Sequence, residues 1–383
     1  YRLPTVFIST MWKHRALARK PEHSRSSNKY GLRSIRKDGS ALMWLRAVII
    51  VLACGLIPLT DGHAQVVKKL GTSAATFLRI PVGARGSALG SAYVSRSEDA
   101  TTLFWNPSGL SRLSGTSITL DYAPWLPGLD FSYAGLAIPM GNLGGIGLSV
   151  TSLNSEKMDV TTPQYPMGTG ETFTAASLAL GFTYARNLTD RFSIGVTVKY
   201  IQERIYHSYA NGIGFDIGTL FNIPFRGIRL GISVANFGSK MQMDGEDLNV
   251  RVDIAPDQKG NNQTIVGALR TDKFDIPLIM RIGLSGELVE SDQMRITWVM
   301  DGINPNDNTI SLNLGLECAL WRESVVLRAG YNNLLLEDNI RGFTAGAGLS
   351  IPWAQVRGMS IDYAFQDFQY LGGVNRFSVS AGF

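Results

Sequence analysis

Apolar and polar residues alternate along most of the chain from about residue 117 to its C-terminus. In the segment 309–321, one face carries Ile310, Leu312, Leu314, Leu316, Cys318 and Leu320, and the other carries Ser311, Asn313, Gly315, Glu317 and Ala319. A period of two places successive side chains on opposite faces of a β-strand, so the pattern predicts strands with one apolar face. Soluble sandwiches also contain such strands, so a single segment does not decide the architecture.

The number of these segments and the spacing between them are more specific. Alternation is found in fourteen segments, near residues 117–122, 131–139, 145–153, 174–185, 191–204, 212–223, 227–237, 276–290, 294–301, 308–321, 324–332, 341–352, 358–368 and 375–383. Short connectors such as Met140–Gly144 take turns with mostly longer ones such as Asn154–Phe173 and Gly238–Asp275. Outer-membrane barrels combine an even strand number with short periplasmic turns and longer external loops. The sequence thus predicts an all-β fold, a transmembrane antiparallel β-barrel of about 14 strands over residues 117–383, in the outer membrane.

Charged residues fall on the polar faces of these strands, which a barrel turns toward its lumen. They are Asp121, Lys199, Asp216, Arg229, Arg281, Glu287, Arg295, Glu317, Arg328 and Asp362. Unpaired charges are costly to bury, so we expect a wet or plugged interior in which these groups pair with one another. The alternative is that these charges form a ring that selects ions, and this arrangement cannot be assigned without the strand register.

Composition agrees with a β-rich protein in a half-apolar setting. The 383 residues include 41 glycines, with 10% aromatic and 17% charged residues. The two cysteines, Cys54 and Cys318, are too few for a disulfide scaffold or a four-cysteine zinc site. Downstream of residue 64, no apolar stretch reaches the ~18 residues of a transmembrane helix.

The net charge of +5 is concentrated at the N-terminal end, where residues 1–42 carry ten Lys or Arg and two acidic residues. The basic balance is therefore no argument for nucleic-acid binding, and we expect residues 1–42 to be disordered or to lie upstream of the true start. Residues 43–64 have the three parts of a secretory signal peptide, with Arg46, an apolar run over Ala47–Leu59, and small residues at Gly62 and Ala64. Pro58 interrupts the apolar run, which argues against a membrane anchor.

The last strand carries a second targeting feature. Phe377, Val379, Ala381 and Phe383 share one face, and the chain ends on that aromatic residue. This arrangement resembles the C-terminal signal by which outer-membrane barrels are recognised for assembly. It predicts two partners, the lipid bilayer of the outer membrane and the barrel assembly machinery.

Residues 65–116 do not alternate and carry a distinctive motif. It consists of Gly83-Ala84-Arg85-Gly86, Gly90-Ser91-Ala92-Tyr93-Val94, Glu98-Asp99-Ala100 and Trp105-Asn106-Pro107-Ser108-Gly109-Leu110. The region resembles the N-terminal segment of the PorV/PorQ family, within the wider FadL-like group of outer-membrane proteins. The resemblance implies a fourteen-stranded barrel in which residues 65–116 fold into the lumen as a hatch. It also implies a role in the type IX secretion system, where family members bind secreted cargo or help to anchor it at the cell surface.

Physical reasons for the motif residues follow from their chemistry. Glycines at Gly83, Gly86 and Gly90 allow close backbone packing inside a narrow lumen. Asn106-Pro107 predicts a turn, and Gly109 predicts a positive φ where the chain bends toward the first strand. Glu98 and Asp99 are expected to pair with Arg85 or with the inward Arg281 or Arg328. The dinucleotide-binding pattern G-x-G-x-x-G is absent from these glycines.

An enzymatic function finds no support in the residues. The chain downstream of residue 64 has one histidine, His207, and its neighbour Ser208 points the other way on a strand end, so the two do not form a nucleophile–base pair. No cofactor motif is present. Asp244, Glu246, Asp247, Asp253 and Asp257 cluster in the long loop but lack the regular spacing of a calcium loop. We expect no catalytic, cofactor or metal site.

Two non-enzymatic functions remain open. In the first, the barrel acts in protein secretion or in surface attachment of cargo, and its loops bind secretion-system components or cargo. The polar loop Gly238–Asp275 favours this function, and Leu334, Leu335 and Leu336 are candidate docking residues. In the alternative, the barrel is a FadL-like channel for long-chain fatty acids or other hydrophobic compounds, and the same leucines serve its entrance.

Overall fold

The computed structural model describes residues 71–225, 227–254, 257, 265–336, 339, 342–353 and 356–383. Fourteen long strands, numbered β1 to β14, make up the wall of a barrel. Their bounds are Ser117–Pro124, Leu129–Pro139, Gly145–Ser155, Ala175–Asn187, Phe192–Ile205, Ser208–Asn222, Arg229–Gly238, Ile279–Glu290, Met294–Pro305, Ser311–Leu320, Val325–Leu334, Phe343–Trp353, Val356–Asp367 and Gly373–Gly382.

Each strand pairs with its neighbours in the chain, and every pairing is antiparallel. The first strand closes the barrel by pairing with the last, from Ser117 opposite Gly382 to Tyr122 opposite Phe377. The Phe383 backbone N–H extends this seam by donating to the Thr116 carbonyl at 2.8 Å. Closure satisfies the backbone groups that an open sheet edge would expose to lipid.

The alternation of apolar and polar residues gives the barrel wall two different surfaces, one facing the lumen and one facing outward. In β6 the lumen-facing Ala210 and Asp216 are buried, whereas Ile213 and Ile217 point outward and are half exposed. The outer surface forms an apolar belt to which all parts of the wall contribute, including Leu120, Leu148, Phe182, Val198, Phe215, Ile282, Leu316, Leu327, Leu349, Ile361 and Val379. No helix in the described part of the chain is long and apolar enough to cross a membrane.

The fourteen predicted strands are all present, with shifted bounds. Strand β6 begins at Ser208 rather than near residue 212, so the predicted loop 205–211 shrinks to a turn at Tyr206 and His207, where Tyr206 has a φ of 55°. The long loop between β7 and β8 contains its own hairpin, Asn249–Val252 paired with Ile265–Ala268. Another short hairpin, Met158–Asp159 with Thr172–Phe173, lies between β3 and β4. The predicted leader 1–42 and signal peptide 43–64 lie outside the described residues.

Candidate functional site

Residues 71–116, the described part of the hatch, run through the barrel lumen from end to end. At one end the Ala74 N–H donates to the Asp275 carbonyl at 2.9 Å, close to the loop-side end of β8. At the other end Arg112 donates to the carbonyls of Thr189 and Asp190, in the short turn between β4 and β5. Because short turns are periplasmic in such barrels, the hatch runs from the outer mouth of the lumen to its periplasmic end.

The hatch folds into short helical turns joined by bends. Its 3-10 helices span Thr76–Arg79 and Pro107–Arg112, and its α-helices α1 and α2 span Ala84–Ala88 and Thr102–Trp105. Asn106 caps the second 3-10 helix, since its side chain accepts a hydrogen bond from the Ser108 N–H. Pro at the next position suits a helix start because its missing N–H would have no partner there. The predicted turn at Asn106-Pro107 is thus a helix cap.

Two glycines bring the hatch backbone against its neighbours. Gly90 has a φ of 68°, and a side-chain carbon there would lie 2.5 Å from the Leu314 carbonyl oxygen of the wall. A side-chain carbon at Gly86 would lie 2.9 Å from the Trp105 ring. Gly109 lies within a 3-10 helix and does not have the positive φ that the sequence predicts. It is required instead because a side chain would overlap Thr102 and Ser97.

Trp105 and Asn106 hold the centre of the hatch together and attach it to the wall. The Trp105 indole N–H donates to the Val82 carbonyl at 2.9 Å, and its ring packs edge-on against Tyr93. The Asn106 amide donates to the Val94 carbonyl at 2.8 Å and to the Thr219 carbonyl of β6 at 2.9 Å. Both side chains are fully buried. These motif residues therefore tie distant parts of the hatch to one another and to the barrel.

Ion pairs join the hatch to the wall in the periplasmic half of the lumen. Arg85 lies 2.9 Å from Glu98, 3.6 Å from Asp99 and 3.7 Å from the wall residue Asp362. Arg96 pairs with Glu98 within the hatch and lies 3.3 Å from Glu317 of the wall. Of the predicted partners for Glu98 and Asp99, the structure brings Arg85 to them and not Arg281 or Arg328.

The wall continues this set of ion pairs. Arg328 lies 2.7 Å from Glu317 and 2.6 Å from Asp362, and all three side chains are at most 3% exposed. Arg295 extends the set to Glu323, which lies in the short turn between β10 and β11. We call this group the ionic latch; its members are Arg85, Arg96, Glu98, Asp99, Glu287, Arg295, Glu317, Glu323, Arg328 and Asp362. Buried charges are tolerated because each has an opposite charge beside it.

Other polar contacts with the wall orient the hatch. The Asp301 carboxylate of β9 accepts hydrogen bonds from the Tyr93 and Val94 N–H groups at 2.7 and 2.9 Å. Asp121 of β1 accepts one from the Gly83 N–H at 3.1 Å and also pairs with Arg376 of β14. These contacts fix the position of the hatch along the lumen axis.

In the outer half of the lumen the hatch is held by apolar contacts and by one ion pair, in which Arg79 donates to both carboxylate oxygens of Asp307 at 2.9 and 2.7 Å. Hatch residues such as Phe77, Leu78 and Ile80 are buried against wall and loop side chains such as Ile201 and Ile276. Burial of an apolar side chain of this size contributes about 1.5–3 kcal/mol to the stability of the folded protein, and this contribution does not depend on contact direction.

A cavity of about 80 Å³ remains between the hatch and the outer ends of β8 to β11. Trp105, Ile279, Ile303 and Leu336 supply apolar surface to it, and its polar lining includes Arg281, Ser91 and Asn332. Within the described part of the chain, both polar atoms of the Asn332 amide, the Ser91 hydroxyl and Arg281 Nε have no hydrogen-bond partner. Buried polar groups are normally paired, so these atoms can form hydrogen bonds with a molecule that enters the cavity.

The three candidate docking leucines do not form one surface. Leu335 is 75% exposed with a φ of 77°, and Leu334 lies at the end of β11 and is 37% exposed. Leu336 instead turns inward and lines the cavity. The predicted apolar tip is therefore divided between an exposed leucine and a residue of the lumen entrance.

The four residues predicted to form the assembly signal lie on the outer face of the last strand. Phe377 and Val379 are half exposed on the lipid side of β14, Ala381 follows them on that face, and Phe383 ends the seam with β1.

His207 and Ser208 both contact Asp247 of the long loop. The Ser208 hydroxyl donates to the Asp247 carboxylate at 3.1 Å, and the His207 ring nitrogen Nδ1 lies 3.2 Å from the same group. A nucleophile–base pair needs the hydroxyl to contact the imidazole, whereas here both groups contact the carboxylate. Among the described residues, no group of three or more His, Cys, Asp or Glu side chains is arranged to hold a metal ion.

Several residues of the lumen were not singled out by sequence reasoning. Arg96, Asp301, Arg376 and Asn332 were missed, although the last three lie at inward positions of predicted strands. A count of the polar inward positions would have found them. Arg96 lies outside the alternating region, and only its charge within the glycine-rich segment marks it.

Comparisons with known proteins identify the fold. No protein-family profile and no curated protein sequence matches the chain. Among solved structures, the Ralstonia pickettii toluene transporter TbuX is 12% identical with a TM-score of 0.50, over 79% of this chain and 98% of its own. The monoaromatic hydrocarbon channel CymD is 15% identical with a TM-score of 0.49, over 79% and 97%. A Pseudomonas aeruginosa FadL homologue is 14% identical with a TM-score of 0.45, over 78% and 97%. The chain is therefore a closed fourteen-stranded β-barrel of the outer membrane that shares its fold with TbuX.

Proposed function

We propose that the barrel is a hatch-gated channel for small, mainly apolar molecules that carry a hydrogen-bonding group. The single observation that supports this most is the cavity in the outer lumen. Trp105, Ile279 and Ile303 line it with apolar surface, and the unpartnered Asn332 amide lies beside them. Ligand sites are mostly apolar concavities with a few polar groups that fix orientation. The toluene transporter TbuX has the same fold; the substrate class proposed here rests on the cavity.

The proposal is tested by uptake of two related molecules, toluene and p-cresol, which adds a hydroxyl to the same ring. Cells carrying the protein should accumulate both faster than cells lacking it. Asn332→Leu removes the amide, so p-cresol uptake should fall by about fivefold, the worth of one neutral hydrogen bond, while toluene uptake persists. Asn154→Leu, an exposed asparagine on the outside of β3, is the matched control. Uptake equal to that of cells without the protein would refute the channel.

A second function, capture of a secretion-system component or secreted cargo as in the PorV/PorQ family, is favoured by one observation. Leu335 projects from the loop after β11 with three quarters of its surface exposed, and interfaces bury apolar residues within a polar rim. Leu335→Ser should then reduce recovery of a secreted protein in pull-downs from detergent extract. Wild-type protein that recovers none, in cells with measurable p-cresol uptake, would exclude this function.

We further infer that Phe377, Val379, Ala381 and Phe383 form the assembly signal read by the barrel assembly machinery. Phe383→Ser should lower the amount of heat-modifiable barrel in the membrane, because the final strand closes the barrel against β1. An unchanged amount would contradict the inference.

A further inference from the structure

A second, larger cavity of about 620 Å³ lies on the outside of the barrel near its loop end. Part of its wall is formed by Tyr209 and Asn211 of β6, which point away from the lumen because the alternate residues Ala210 and Gly212 are buried. The rest comes from the loop between β7 and β8, with Lys240 and residues 242–244 at its beginning and residues 268–271 and Lys273 at its end. We call this cavity the outer pocket.

The outer pocket lies at the level where the membrane surface is expected. Below it, the outward residues Ile213, Phe215 and Ile217 are apolar and exposed. At its base the Tyr200 hydroxyl donates to the Asn211 side-chain oxygen at 2.8 Å, and Gln202 donates to the same oxygen at 3.0 Å. Tyrosines with polar partners mark the boundary between acyl chains and headgroups. The pocket therefore faces the headgroup layer of the outer leaflet.

The outer pocket has an excess of positive charge. Lys240, Arg270 and Lys273 line it, with Asp244 as the only acidic residue among its described lining. Lys240 lies 3.2 Å from Asp275, whereas Arg270 and Lys273 make no ion pair within the described residues. Arg204 is a fourth cation nearby, since it lies directly opposite Tyr209 in the β5–β6 ladder and is exposed.

The two loop segments that carry these cations are fixed to each other. Met241 and Phe274 form a backbone bridge through two hydrogen bonds of 2.8 and 2.9 Å. The Gln242 side chain donates to the Thr271 carbonyl at 2.6 Å, and the Thr271 hydroxyl donates to the Met243 carbonyl at 2.7 Å. The cations are therefore presented on a preformed frame.

We propose that the outer pocket binds the phosphorylated headgroup of an outer-leaflet lipid. Arginine and lysine bind phosphate through charge and hydrogen bonds, and basic pockets at the edge of a membrane protein hold anionic headgroups. The exposed Phe237 and Ile213 lie on the same outer face of β6 and β7 and offer the attached acyl chains an apolar surface. The site is separate from the lumen and does not depend on the transport proposal.

The test measures equilibrium binding of fluorescent lipid A, a phosphorylated and acylated disaccharide, to the purified full-length protein in non-ionic detergent. The double variant Arg270→Gln/Lys273→Gln should bind it roughly thirtyfold more weakly, at about a factor of five per cation near a headgroup. The charge-preserving variant Arg270→Lys/Lys273→Arg should retain most of the affinity. The control Lys157→Gln/Arg251→Gln removes two exposed loop cations that do not line the pocket and should bind as the wild type does.

Each outcome bears on the proposal, with heat-modifiability used first to establish that every variant is a folded barrel. Equal binding of dephosphorylated lipid A would overturn it, because no phosphate would be recognised. Equal loss in the control variant would overturn it, because general surface charge would be responsible. Displacement of lipid A by inorganic phosphate at similar concentration would assign the pocket to free phosphate instead of a lipid. Selective loss in the pocket variant, with phosphate ineffective, supports the lipid site.

Discussion

In the outer half of the lumen the hatch meets the wall mainly through apolar side chains, with one partly exposed ion pair between Arg79 and Asp307, and leaves a cavity. In the periplasmic half it meets the wall through a network of buried ion pairs. Apolar packing is non-directional and tolerates small shifts. Buried ion pairs hold only while both partners are in place, since either charge left alone is costly. Under the proposed channel function, the outer half accommodates a ligand, and the ionic latch keeps the passage closed until the hatch moves.

The largest effect is expected where the latch loses its central acid. Glu317 lies between Arg96 and Arg328, whose side chains are at most 2% exposed. Glu317→Ala leaves both cations buried beside fewer acids, which costs about 3–5 kcal/mol. Urea unfolding of the barrel in lipid vesicles measures this loss. Glu323→Ala removes the 60% exposed end of the latch and should cost about 0–1 kcal/mol. Equal losses in the two variants would show that the latch is no stronger than a surface pair.

A smaller effect is expected from the backbone contact between hatch and wall. Gly90→Ala forces a side-chain carbon to within 2.5 Å of the Leu314 carbonyl oxygen, and overpacking of this kind costs about 1–3 kcal/mol. Gly128→Ala is the matched control, because Gly128 has a similar φ of 75° and open space around it. The hatch amides should exchange hydrogen faster in the first variant only. Similar exchange in both would mean that backbone strain, and not the contact, matters.

The smallest effect is expected in the loop between β7 and β8, above the outer half of the lumen. Limited desolvation acts to raise the pKa of the exposed Asp247 carboxyl, but hydrogen bonds from His207 and Ser208 outweigh it and hold the pKa below its usual value of 3.8. A lowered pKa means that this tether contributes above the ordinary carboxyl pKa and is lost as the pH falls through the folded value. At neutral pH, Asp247→Asn should speed hydrogen exchange at the His207 amide, which donates to the Asp247 carboxylate at 2.8 Å, and leave uptake unchanged. Altered uptake would indicate that the loop participates in gating.

The sequence predicts the wall better than the contents of the lumen. A strict period of two places Asp362 and Arg328 on the lumen side without knowledge of the fold, because a strand has only two faces. It does not say that they pair with each other, since that depends on the register of neighbouring strands. The same dependence on tertiary contacts explains why Asp301 and Asn332 were overlooked. Asp301 belongs to the site only through the hatch N–H groups that it binds, and Asn332 only through the cavity beside it.

The hatch is predictable only in part, because it has no periodic pattern. Its glycines indicated close packing, and Gly90 has the expected proximity to the wall. Gly109 was expected in a bend, yet the Asn106 cap continues the chain into a 3-10 helix that passes through it. The sequence also did not predict the tight turn at Tyr206 and His207. Residues 208–211 were expected to belong to a loop, whereas in the structure they pair with β5.

The most direct test of the account is a reversible lock between hatch and wall. A side-chain carbon at Gly315 would lie 2.9 Å from the Leu89 side-chain carbon Cβ and 2.5 Å from the Leu89 carbonyl oxygen. The hatch must therefore move slightly away from the wall to reach the spacing of a disulfide, about 3.8 Å, and Gly315→Cys alone is the control for that displacement. Leu89→Cys/Gly315→Cys, made with Cys318→Ser, should abolish p-cresol uptake when oxidised and recover it on reduction, while each single cysteine variant transports in both conditions. Uptake at the wild-type rate by the fully oxidised protein would contradict the claim that the hatch must move.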